Sequence, residues 1–112
     1  MPLKRRSSDN EQITLIPNEV ISSGLGARQL SVYVVLSAHA DERTQQCSLP
    51  IKTMSLMSGF SVSTVTRAIR QLEQMKLIHV RRRAKQGRPS VYTMLDYSHL
   101  VPIPMPDLGD GY

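Results

Sequence analysis

GFSVSTVTRAIRQLEQ, residues 59–74, decides how the rest of this chain is read. Wound at about 100° per residue, it divides into two faces. Val62, Val65, Ala68, Ile69, Leu72 and Met75 gather on one side. Ser63, Arg67, Arg70 and Gln74 gather on the other, flanked by Thr66 and Gln71. The polar side holds no acid, and the lone carboxylate, Glu73, sits at its edge. Surface helices that need only solubility usually mix charges of both signs. A single-sign face is either plainly solvated or built to lie against a polyanion.

The charge distribution favours the polyanion. The chain has 112 residues, enough for one small domain, with 14 Lys and Arg against 9 Asp and Glu for a net charge of +5. From Arg67 to Arg88 stand eight basic residues and one acid, so this segment exceeds the net charge of the whole chain. Such clustering is an electrostatic footprint for nucleic acid or an anionic membrane. No apolar run approaches the ~20 residues of a spanning helix. The basic start, MPLKRRSSDNEQ, lacks the apolar stretch of a signal peptide. A single cysteine, Cys47, excludes an internal disulfide framework and fits a reducing cytosol. The expected location is therefore cytoplasmic.

Outward from the opening stretch, residues 1–12 read as a disordered basic arm, 13–100 as one domain and 101–112 as a Pro-rich tail or linker. ITLIPNEVISSGLG is a short extended or helical lead-in broken by Ser and Gly. ARQLSVYVVLSAHA (27–40) reads as a helix that is apolar nearly all round. It is either the central helix or one that also meets a partner chain. CSL is a short strand. Pro50 suits the first position of the next helix, with Ile51, Met54 and Met57 inward. Gly59 ends that helix as a C′ glycine, and Ser61 caps the following one through its hydroxyl. LIHVRRR and SVYTML are β-branched strands joined by AKQGRP, which carries the Gly and Pro of a turn. The order predicts an α+β winged helix-turn-helix: three helices and a two-stranded β-wing, plus a short third strand.

Residues 27–95 resemble the winged helix-turn-helix domains of plasmid and phage replication proteins and related small regulators. Gly59, Ser61, Thr64, Val65, Arg67, Ile69, Leu72, Leu77, Ile78 and Tyr92 match that pattern in order. Two positions depart from it: Pro50 stands where a Ser usually starts the helix, and Lys76 where a glycine is common. The resemblance implies a protein of a plasmid, phage or other mobile element that binds double-stranded DNA by sequence. Its role would be replication initiator or transcriptional regulator, without catalysis or cofactor. Ser63, Thr66, Arg67 and Arg70, with Gln71 on the flank, would face base edges in the major groove. Ser61, Thr64 and Lys52 would hold phosphates. Arg81, Arg83, Lys85 and Arg88 of the wing would touch the adjacent backbone or minor groove. One recognition helix reads few base pairs, so a homodimer or tandem binding on repeated sites is expected. The alternative is a protein-interaction module that keeps the fold without reading DNA.

Other chemistries find little in the sequence. His39, His79 and His99 show no metal-like spacing with each other or with Cys47. No phosphate loop, nucleophile elbow or paired-carboxylate signature occurs. The aromatic residues are too scattered for a single-strand stacking platform. In a strand Arg82 must face opposite Arg81 and Arg83, so only part of the RRR cluster reaches one ligand. The tail VPIPMPDLGDGY is Pro-rich and mildly acidic, a linker or a docking peptide for a protein partner. Deleting residues 102–112 is expected to leave duplex affinity unchanged or slightly raised in a mobility-shift assay. A large loss would make the tail part of the binding unit.

Overall fold

A computed structural model of the chain describes residues 13–83 and 87–100. An extended lead-in runs into a single helical turn, α1 (Asn18–Ile21), and then α2 (Ala27–His39), β1 (Gln46–Ser48) and α3 (Ile51–Ser58). After them come α4 (Val62–Gln74), β2 (Ile78–Arg81) and β3 (Val91–Met94). This is the expected α+β winged helix-turn-helix, with one short helix added at the start. The expected arm (1–12), the Pro-rich tail (101–112) and Lys85 lie outside the described residues.

The core is assembled around α2. Val32, Tyr33, Val35 and Leu36 are buried, and the helix packs on α3, α4, β1 and β3. Four partners around one helix explain why it is apolar nearly all round: it is the central helix. Val34 is partly uncovered, beside Leu30 and Met57 in a shallow groove. From α4, Val65, Ala68, Ile69 and Leu72 enter the core, as the helical pattern requires. Two expected core positions do not: Met57 is 50% exposed and Val62 45%. Met57 turns out at the end of α3 beyond its buried residue Met54. Val62 is the first residue of α4, ahead of the point where that helix meets the core.

The three strands form an antiparallel sheet in the order β1-β3-β2. Tyr92 of the central strand pairs with both Cys47 and Val80, and Met94 pairs with Ile78. These five side chains lie on the face turned to the helices and belong to the core. Burial pushes the Cys47 thiol up to about 11, which leaves it protonated and unreactive near neutral pH. His79 and Arg81 alternate onto the outer face. The other two histidines bond the backbone. His39 Nδ1 bonds the Val35 carbonyl at 2.9 Å, and His99 Nε2 bonds that of Met75 at 2.8 Å.

The ends of the two central helices follow the local sequence. Pro50 stands one place earlier than expected, as the residue before α3, with φ −62° and ψ 145°. Its ring holds φ at a value this position accepts, and α3 starts without a side-chain cap. Gly59 closes α3 in the left-handed region at φ 79°, and its N–H donates to the Ser55 carbonyl at 3.0 Å.

α4 closes without glycine. Lys76 takes φ 58°, its N–H donates to the Glu73 carbonyl at 3.0 Å, and the Leu77 N–H donates to the Leu72 carbonyl at 3.0 Å. That bond pair is a Schellman motif, and the buried Leu72 and Leu77 supply the apolar contact that accompanies it. A side chain in the left-handed region costs about 1–2 kcal/mol. Lys76→Gly removes this strain but adds chain entropy to the unfolded state, for a net gain of about 0.5–1 kcal/mol. Lys76→Ala keeps its Cβ and is expected to gain nothing. Urea unfolding of both variants measures the difference.

Candidate nucleic-acid interface

The interface is built on the turn between α3 and α4. Ser55 Oγ donates to the Phe60 carbonyl and the Phe60 N–H donates to Ser58 Oγ at 3.3 Å, which pins the turn. Ser61 then caps α4: its Oγ accepts from the Thr64 N–H at 3.2 Å and donates to Thr64 Oγ1 at 3.0 Å. Ser63 Oγ lies 3.2 Å from the same oxygen. The cap therefore occupies the Ser61 hydroxyl, while the half-buried Thr64 and exposed Ser63 stand beside it.

Beyond the cap, Ser63, Arg67, Arg70 and Gln74 are exposed along one face of α4, with Thr66 and Gln71 half-buried on its flanks. Thr66 Oγ1 donates to the Val62 carbonyl at 2.9 Å, so its hydroxyl proton is committed to the helix. Gln71 accepts from Gln29 Nε2, which ties the first turn of α2 to α4. Lys52 is exposed in the first turn of α3. The structure brings Ser63, Arg67 and Arg70 onto one surface, engages Ser61 and Thr66 in bonds at the start of α4, and ties Gln71 to Gln29 of α2.

The wing divides as strand alternation requires. Arg81 points from the outer face of the sheet, away from the side that packs on α4. Arg82 turns the other way and grips Glu73 with both guanidinium arms, Nη2 to Oε1 at 3.0 Å and Nη1 to Oε2 at 3.3 Å. Arg83, half-buried, and Arg88, exposed, flank the turn that contains Gly87 at φ 60°.

Two features escaped the sequence reading. Gln29 and Gln71 are too far apart in the chain for any local signal, yet their bond ties α2 to α4. The partner of Arg82 was foreshadowed only by the alternation that turned it away from Arg81. The pair offsets the one negative charge at the edge of the α4 face with a guanidinium. Hydrogen bonds from Arg82 hold the Glu73 carboxyl below its ordinary range. A depressed carboxyl pKa contributes stability above the ordinary glutamate range and loses it as pH falls through the depressed value. Both side chains remain partly solvated, so the contribution is small. Arg82→Ala is expected to raise the Glu73 titration midpoint toward that of a free glutamate, followed by NMR. An unmoved midpoint would mean that the pair does not form in solution.

Among the described residues no helix is long and apolar enough to cross a membrane. No match was found among curated proteins or among solved structures. A family model described as a helix-turn-helix domain matches residues 23–78, half of the chain, from the residues before α2 to the start of β2. With the turn, the cap and the exposed basic face in the positions this architecture gives them, the chain belongs to the helix-turn-helix domain family, whose fold suggests a DNA partner.

Proposed function

We propose that this protein binds double-stranded DNA by sequence, placing α4 in the major groove and the wing turn on the neighbouring backbone or minor groove. The observation that supports it most is the exposed face of α4. Arg67 and Arg70 project there with no competing acid, because Glu73 is held by Arg82. Arg67 and Arg70 are the guanine readers, since a guanidinium fork matches the paired acceptors of that base. Arg83 and Arg88 are phosphate contacts, as is Lys52. Arg81 stands on the outer sheet face and is the least favoured contact of the set.

A single α4 reads only a few base pairs, and a genome offers on the order of 10⁶ or more competing sites. Two recognition helices per site, on paired or tandem copies, supply the missing discrimination. Sites of that kind suit a replication initiator acting on repeats or a regulator acting at an operator, on a plasmid, phage or other mobile element.

Helix and wing substitutions are expected to fail differently. Arg70→Ala removes a base contact worth about 1–3 kcal/mol of discrimination, so affinity for the preferred duplex falls roughly ten- to a hundredfold. Affinity for unrelated duplexes falls much less. Arg88→Ala weakens all duplexes alike and makes the slope of log affinity against log salt shallower by about 0.9. Salt titrations on preferred and random duplexes separate the two. Equal losses for both variants on both duplexes would remove α4 as the reader.

A further inference from the structure

Val62 is out of keeping with the rest of α4. The apolar residues behind it, Val65 and Ile69, are 0% and 4% exposed, whereas Val62 is 45% exposed at the first position of the helix. One turn on, Thr66 lies on the same flank. Its hydroxyl proton is given to the Val62 carbonyl at 2.9 Å, so that hydroxyl has no proton left to donate to a base. Ser63, the next residue along the chain after Val62, has its oxygen 3.2 Å from that of Ser61. The leading turn of α4 therefore offers aliphatic surface where the later turns offer Arg67 and Arg70.

The major-groove edge of a base pair presents acceptors, donors and a single apolar group, the C5-methyl of thymine. An aliphatic side chain can discriminate bases there only through that methyl. Val62 is suited to do so because a β-branched side chain in a helix holds one preferred χ1 rotamer and loses little freedom on contact. Resting on the DNA-binding reading above, we propose that Val62, supported by the Thr66 methyl, reads thymine methyl groups. The amino-terminal half of α4 then selects thymine and its later turns select guanine.

Deoxyuridine is the probe, since it lacks only this methyl. A duplex enriched by the full chain from a random-sequence library is remade with deoxyuridine in place of each thymidine in turn, and affinities are compared. Wild-type protein is expected to lose about fourfold for each contacted methyl, at one or two positions, the effect of burying about one methylene. Val62→Ala is expected to bind the thymidine and deoxyuridine forms of those positions equally, and Val62→Ile to keep the preference. Equal wild-type binding at every position overturns the inference and leaves DNA binding intact. A preference that survives in Val62→Ala assigns the methyl to another residue and also overturns it. Failure to enrich any duplex would instead contradict the DNA-binding reading itself.

Discussion

The row Val65, Ala68, Ile69 and Leu72 has to seat against α2 before any other surface of this protein is defined. All four are buried, and α2 meets them with an apolar surface that also serves α3 and the sheet. A helix can bury only one stripe, so this seating turns Ser63, Arg67 and Arg70 to solvent. Leu72 serves twice, in the core and as the carbonyl that closes the Schellman motif into β2. Truncating such a leucine to alanine costs about 2–5 kcal/mol, against a total stability of about 5–15 kcal/mol for an ordinary domain. The exposed basic face of α4 thus depends on the residues buried beneath it.

Electrostatics complete what packing begins. Of the five carboxylates among the described residues, only Glu73 lies on α4. Asp41 and Asp96 are engaged within their own loops. Asp41 accepts from the Arg43 and Thr44 N–H groups at 2.8 and 3.0 Å, and Asp96 Oδ2 accepts from Ser98 Oγ at 2.8 Å. Hydrogen bonding lowers both carboxyl pKa values. Glu73 is answered by Arg82 from the wing, so the ion pair also joins the base of the wing to α4. A face of one sign is made here by position as much as by composition.

The sequence carried the architecture well because its signals are local. The helical period of 62–74, the glycine at 59, the serine cap at 61 and the two β-branched strands each act within a few residues, and each stands where it was read. The end of α4 was harder. Lys76 gave no glycine signal, and the closure relies on bonds that the backbone makes whatever the side chain. Val62 misled because its identity is apolar, while its exposure is set by where α4 first meets the core. Gln29–Gln71 and Arg82–Glu73 were hidden for a different reason: contacts between elements depend on how those elements dock.

Amide chemical shifts of the isotopically labelled chain, recorded as a double-stranded oligonucleotide is added, test the central claim most directly. The account predicts that the largest changes fall on the exposed residues of α4, Ser63, Arg67, Arg70 and Gln74, and on Arg83 and Arg88 of the wing. Leu30, Val34 and Met57, in the shallow groove beside α2, should stay nearly still. Largest changes at that groove, with α4 unmoved, would contradict the account and identify the chain as an interaction module that keeps this fold for another partner.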